Sequence, residues 1–297
     1  MRRRRGRDAR RDGRHGVKLA TVKIAGRQSW GIVTEEAFVD VGAALTARYA
    51  DLRTAIAGGL AGVAEAEAGA QAYPLAEVEW LPVLPNPPKI LCVGLNYETH
   101  RKETGRSEVA HPTIFARYAN SQTGHLATIP VPKVSDNLDF EGELAIVIGK
   151  PGRYIPRAEA LSHIAGYACY NDGSIRDYQR HTHQFTPGKN FPGTGAFGPW
   201  MMTPDEMGEI GPQAIRTRLN GEIVQEARFS DMIFDLARIV EYCSEFTELE
   251  VGDVIATGTP GGVGAKRTPP LWMRAGDVVE VEIEGLGTLR NPVAAET

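Results

Sequence analysis

The sequence predicts an α+β protein, mainly β, in which a small N-terminal α/β segment precedes a larger β-rich unit. Three observations carry this prediction. Short apolar runs ending in polar or glycine residues recur after residue 84 (KILCVGLN, GYACYND, GDVIATGTP) without regular βαβ spacing. No GxGxxG follows any of them, which disfavours a dinucleotide-binding sheet. The closing AGDVVEVEIEGLGTLRNPV alternates apolar and polar residues, the pattern of a half-buried antiparallel strand.

Taken in order, VKLATVKI, WGIV and AFVDV read as short strands of a small sheet, with turns at Gly26 and at Glu35 to Glu36. Residues 43 to 70, rich in Ala, Leu and Glu and interrupted by Gly58, Gly59 and Gly62, read as helix in two pieces. LPVLPNPPK is an extended linker, because each proline restricts the residue before it. A boundary near residue 84 therefore divides a segment 17–83 from a segment 84–297. Helices are expected at 97 to 104, 157 to 163 and 231 to 246, and LNGEIVQEARF is a hairpin turning at Asn220 and Gly221.

No run reaches the ~18 apolar residues of a membrane span, so a protein without membrane segments is expected. Cys92, Cys169 and Cys243 are odd in number and form no CxxC pair, which fits a reducing cytoplasm better than a disulfide framework or a zinc knuckle. The first 16 residues, MRRRRGRDARRDGRHG, take eight of the 33 Lys and Arg and two of the 37 Asp and Glu, leaving 25 basic against 35 acidic residues in an acidic remainder. The arm lacks the apolar core of a secretory signal. It reads as a disordered basic extension, 1–16, with a polyanion-binding protein as the competing function class.

The run DFEGELAIVIG holds the first chemical signal. Glu141 and Glu143 lie two apart in an expected strand, on one face with Cα atoms roughly 7 Å apart, and two carboxylates so placed repel. A solvent-facing strand edge would tolerate them. Asp172, ending the apolar run GYACYND, offers a third carboxylate, and three with water suit Mg²⁺, Mn²⁺ or Ca²⁺, hard cations that take oxygen ligands. In GLNYETHRKETG, His100 and Glu103 stand three apart on a helix opened by Asn96 and closed by Gly105. Glu103 can hold one imidazole nitrogen while the other takes a proton as a general base, although the same spacing also describes an exposed helical ion pair.

TPGKNFPGTGAFGPW reads as a loop presenting Lys189, which beside a metal could stabilise an enolate and otherwise is a solvated surface lysine. ATGTPGGVG ends a strand in a turn whose N–H groups and Thr257 or Thr259 hydroxyls could cradle a carboxylate; its glycine spacing is not that of a P-loop. Arg176 and Gln179, close in sequence to Asp172, are candidate substrate contacts, Arg because of its bidentate fork. His181 and His183 form an HxH without a third nitrogen or sulfur ligand in sight.

In this order, VGLNYETHRKE, DFEGELAIVIGK, GYACYNDGSIRDYQ, GKNFPGTGAFGPW, LNGEIVQ, FSDMIF and GDVIATGTPGGVG resemble the fumarylacetoacetate hydrolase (FAH) family over most of residues 89 to 293. The resemblance implies a mixed β-sandwich roll catalytic domain, a homodimer, and Mg²⁺ or Mn²⁺ held by Glu141, Glu143 and Asp172. It implies His100 and Glu103 on a lid over the substrate, Lys189 beside the metal and Thr259 at the oxo-acid end. The activity implied is hydrolysis of a C–C bond in a 2,4-dioxo acid such as an acylpyruvate, in aromatic-compound catabolism. Decarboxylation of oxaloacetate-like acids and isomerisation of 2-hydroxymuconate-type acids are the alternatives. Pro192 stands where many members have an acidic residue, and NDGSIRD carries Gly173 and Ile175, so the substrate's distal group stays open.

Overall fold

The computed structural model describes residues 17–297, and the basic arm 1–16 lies outside them. The chain opens with strands β1 (Lys18–Ile24), β2 (Arg27–Val33) and β3 (Ala37–Val39), short helices α1 (Val41–Ala44), α2 (Leu52–Ala57) and α3 (Val63–Glu67), then β4 (Ala72–Pro74) and β5 (Glu79–Trp80). After the proline-rich segment come β6 (Ile90–Gly94), α4 (Glu98–Thr104), β7 (Thr113–Arg117), β8 (Gln122–Thr123), β9 (Ile129–Val131), β10 (Leu138–Asp139), β11 (Gly142–Ile148), β12 (Ile164–Asp172) and β13 (Ser174–Ile175). Next are α5 (Arg176–Arg180), α6 (Thr186–Lys189), β14 (Gly195–Met202), α7 (Pro204–Met207), β15 (Ala214–Leu219) and β16 (Glu222–Arg228). The chain closes with α8 (Leu236–Phe246), β17 (Val254–Ala256), β18 (Val278–Ile283) and β19 (Gly287–Ala295). The expected α+β, mainly β class is what forms.

One long mixed sheet runs β4-β3-β2-β1-β14-β12-β11-β17-β6-β7, with β5 added on β1 and β8 on β14. A second sheet runs β16-β15-β18-β19-β9, and β10 pairs with β13. The central strands β11 and β12 are antiparallel, Glu143 opposite Tyr170 and Ala145 opposite Ala168. β11 is buried along its whole length. One face, with Leu144 and Ile146, packs with Ile215, Val279 and Val281 of the second sheet. The other, with Ala145 and Val147, packs with Leu52, Ile56, Ala168 and Val254. A strand covered on both sides can carry a charged residue only where that charge is paired or coordinated, so Glu143 is there for chemistry or as part of a paired network. Gly142 lets the second sheet approach: a Cβ there would lie 2.1 Å from Thr217 Oγ1.

Several element boundaries differ from the sequence reading. The small sheet expected over the first strands is instead one end of the long sheet, because β1 pairs with β14 (Lys18 with Met202, Leu19 with Met201). The helical stretch expected over 43 to 70 forms three short pieces, α2 starting anew at the Asp51 capping box and α2 and α3 parted at Gly58 to Gly62. Residues 157 to 163 make only a single 3-10 turn, Ala160–His163, before β12 takes the chain. α8 starts at Leu236, not 231, because the Asp235 side chain accepts from Arg238 N and caps it there. The closing alternation is a hairpin of two strands rather than one, reversed at Gly285 with φ +82°. The hairpin at Asn220 and Gly221 forms as expected, with φ +54° and +85°. The lysine segment, read as a loop, contains the helical turn α6.

Candidate active site

The strand register brings the three carboxylates together. Asp172 ends β12, directly across from the residue that precedes β11, and Asp172 N donates to Glu141 O at 2.8 Å. Glu141 N in turn donates to Asn171 Oδ1 at 3.0 Å. One oxygen from each of Glu141, Glu143 and Asp172 lies within 4.8 Å of the others, and all three residues are buried. The solvent-facing strand edge is thereby excluded.

Cations surround two of the three. Lys189 Nζ lies 2.6 Å from Glu141 Oε2 and 2.6 Å from Asp172 Oδ2, in a fully buried position that rules out a surface lysine. Arg176 donates through Nε to Asp139 Oδ2 at 2.7 Å, and its Nη2 stands 2.7 Å from Glu141 Oε1 as an ion pair without hydrogen-bond alignment. Arg117 Nη1 reaches Asp172 Oδ1 at 2.6 Å. Burial alone would push the Glu141 carboxyl up, but Arg176 and Lys189 hold it well below the usual carboxylate range. Lys189 loses stability as an ammonium through burial, and Asp172 and Glu141 more than restore it.

Glu143 differs. Its Oε2 accepts from Gly258 N at 2.8 Å, and no basic side chain pairs with it among the described residues. Burial, with Asp172 and Glu141 beside it, pushes its carboxyl well above the usual range. Four buried carboxylates, Asp139, Glu141, Glu143 and Asp172, thus face three cations, Arg117, Arg176 and Lys189. The unmatched negative charge falls where three oxygens converge. An all-oxygen donor set short of one positive charge fits a hard divalent cation.

The roof over this floor is α4. Its N-cap is Tyr97 without a side-chain bond, and Gly105, at φ +69°, closes it. Asn96, expected as the cap, is spent differently: its Nδ2 donates to Phe234 O and Thr257 O at 3.0 and 2.8 Å, and its Oδ1 accepts from Phe234 N at 2.8 Å. His100 Nδ1 is 2.7 Å from Glu103 Oε1, and the residue is buried at 6% exposure, so this is no exposed helical pair. With Nδ1 engaged, Nε2 is the nitrogen left for proton transfer. Glu103 has a second task, its Oε2 accepting from Gly262 N at 2.8 Å, while Thr99 Oγ1 accepts from Gly261 N at 3.1 Å. A cavity of about 680 Å³ joins floor and roof, lined by His100, Glu141, Glu143, Arg176, Gln179, Lys189 and Thr259 among others.

Residues 89–294 match the family described as fumarylacetoacetate (FAA) hydrolase, C-terminal. The chain belongs to the fumarylacetoacetate hydrolase family. It is 40% identical over 232 residues to the oxaloacetate tautomerase YisK of Bacillus subtilis, covering 76% of this chain and 77% of that protein. The fumarylacetoacetate hydrolase of psychrophilic Exiguobacterium antarcticum superposes with a TM-score of 0.81 at 34% identity, over 94% of this chain and 100% of its own. A 2-hydroxyhepta-2,4-diene-1,7-dioate isomerase from Mycobacterium marinum does so with a TM-score of 0.74 at 30% identity, over 94% and 99%.

In this member of the FAH family, four glycine N–H groups of the turn of residues 256 to 264 are spent on the protein's own side chains. Gly258 N serves Glu143, Gly261 N serves Thr99, Gly262 N serves Glu103, and Gly264 N serves Asp139 Oδ1 at 2.8 Å. The turn cradles the protein's own carboxylates and so locks floor to roof. Thr259 lines the cavity, but its hydroxyl donates to Gly142 O at 2.9 Å and accepts from Gln225 Nε2 at 2.8 Å; the Thr257 hydroxyl donates to Leu144 O. Gln179 lines the cavity with its Oε1 held by Arg176 Nη1 at 2.9 Å. His181 and His183 are exposed at the mouth and join no cluster of three ligating side chains among the described residues.

Three polar residues that organise the site escaped the sequence reading. Arg117 is fully buried and also donates to Gly173 O and Thr194 Oγ1, at 3.0 and 2.9 Å. Asp139 collects Arg176, Gly264 N and Ala265 N. Gln225 accepts from Gly142 N at 3.0 Å and donates to Thr259 Oγ1 and Pro260 O, bridging β11 and the turn. Asp139 and Gln225 sit inside DFEGE and LNGEIVQ, where neither has a spacing of its own that marks it. Arg117 had no local signal at all.

Proposed function

We propose that the protein is a Mg²⁺- or Mn²⁺-dependent enzyme that interconverts the keto and enol forms of an oxaloacetate-like 2-oxo acid. The single observation behind this is the buried trio Glu141, Glu143 and Asp172, short of one positive charge, whose two glutamates line one cavity with His100, itself held by Glu103. The family relative at 40% identity, an oxaloacetate tautomerase, supports the enol reading over C–C hydrolysis. Either metal bound by the trio would polarise the keto oxygen as a Lewis acid.

The chain's own residues divide the remaining work. His100 Nε2 takes a proton from the carbon next to the keto group, and Glu103 on Nδ1 steadies the imidazolium that forms. Lys189, a buried fixed ammonium, favours the negative charge that develops on the enolate oxygen. The same proton is returned to that oxygen to give the enol, so the reaction is balanced without a further reactant. Seated over the floor, α4 limits water at the reacting carbon.

C–C hydrolysis of an acylpyruvate is the second reading, favoured by the same His100–Glu103 pair, which can deprotonate water, and by the structural neighbour that is a fumarylacetoacetate hydrolase. Time-resolved NMR of oxaloacetate and of an acylpyruvate with Mg²⁺ or Mn²⁺ tells them apart. The proposal expects enol and keto oxaloacetate to equilibrate faster with enzyme, with no accompanying loss of carbon. Faster acylpyruvate cleavage than tautomerisation, by kcat/KM, would replace it with the hydrolase.

A further inference from the structure

The cavity has a buried end and an exposed end. Buried Glu141, Glu143, Arg176 and Lys189 line its floor, while exposed Arg106, Arg180 and Lys266, together with His181 and His183, line its mouth. Glu141 and Glu143, at the floor, are the lining carboxylates. The three cations come from separate segments: Arg106 follows α4, Arg180 ends α5, and Lys266 lies in a 3-10 turn, Gly264–Lys266. All three are exposed, and none has an ion-pair partner among the described residues. Arg101 and Lys102, one turn before Arg106, are both spent on Glu98. Although residues after the arm hold 35 acidic against 25 basic side chains, no exposed carboxylate among the described residues lines this opening beside the three cations.

We propose that this mouth is an anion subsite that takes the distal carboxylate of a dicarboxylic oxo acid longer than oxaloacetate. The inference rests on the oxo-acid reading above, which places the head of the substrate at the floor. A tail leaving the floor can run only toward the mouth. A cavity of about 680 Å³ lies in the range that holds drug-sized ligands, beyond what a four-carbon acid fills. A dianion approaching a protein of net negative charge is repelled unless the opening itself is positive, and Arg106, Arg180 and Lys266 supply that local field. Arg106 and Arg180 can each meet a carboxylate with a planar fork; Lys266 adds a point charge.

The test uses non-reacting ligands that share an oxalyl head. Oxamate has no tail, and N-oxalyl amino acids of increasing length end in a carboxylate. Calorimetric binding to the Mg²⁺-loaded enzyme is expected to be about tenfold or more tighter for at least one N-oxalyl acid than for oxamate, with the preference shrinking as salt rises. An R106Q/R180Q/K266Q variant, whose melting curve checks folding, is expected to lose that preference while binding oxamate as before. Equal affinities across the series, or a variant that weakens oxamate as much as the longer acids, would overturn the subsite and leave the oxo-acid reading standing. If oxamate and every N-oxalyl acid fail to bind the Mg²⁺-loaded wild type, the oxo-acid reading falls and the subsite falls with it.

Discussion

The floor and the roof of the cavity are built by opposite means. Glu143 sits on a strand of the sheet centre buried on both faces, and Glu141 and Asp172 stand at adjacent strand ends, their oxygens tied to Arg117, Arg176 and Lys189. His100 instead rides on a seven-residue helix. A few bonds hold that helix down: Glu103 and Thr99 to the 256–264 turn, and Asn96 beneath its start. A cation site needs its donors fixed before the ligand arrives, which rigid strands provide. A proton-transfer group needs access for substrate, and a short helix with few ties can move at small cost.

Under the proposed function, the floor decides whether the cation binds and the roof decides only how fast protons move. The largest expected effect is at the floor: Glu143→Gln should abolish both Mn²⁺ binding, read by electron paramagnetic resonance, and turnover. A variant that keeps tight Mn²⁺ binding would remove Glu143 from the ligand set. At the roof, His100→Ala should slow turnover by about 10² to 10⁴ fold with Mn²⁺ affinity unchanged. A parallel loss of Mn²⁺ affinity would show that the roof helps to hold the cation and would dissolve the distinction. The smallest effect tests the floor's support: Arg117→Gln should leave the fold in place yet weaken Mn²⁺ binding by about 10 to 100 fold, the range for losing a group that orients a metal ligand. No change would mean that Lys189 alone fixes Asp172.

How much of this was legible follows from the range over which each residue acts. Glu141, just before β11, and Glu143, on it, announce themselves by a spacing of two, and Asp172 by ending an apolar run, so local pattern marked all three. His100 and Glu103 were legible as a pair, but whether the pair faced water or a cavity depended on what covers α4. Lys189 looked like a loop lysine because its burial is decided by β11 and β12, far away in sequence. The partners of the glycine-rich turn were not legible for a physical reason: N–H groups in such a turn look the same in sequence whether they will face a ligand or, as those of Gly258, Gly262 and Gly264 do, a carboxylate of the protein. Arg117 and Asp172 are separated by 55 residues, and no pattern in sequence encodes their contact.

The pairing of β1 with β14 gives the first part of the chain a duty unrelated to catalysis. β14 is also the neighbour of β12, whose last residue is Asp172. Cutting the chain at the proline-rich stretch would therefore not release a compact catalytic core. It would strip β14 along Met201 and Met202, leaving open backbone donors and acceptors beside buried methionines, the kind of naked margin on which sheets stick to one another.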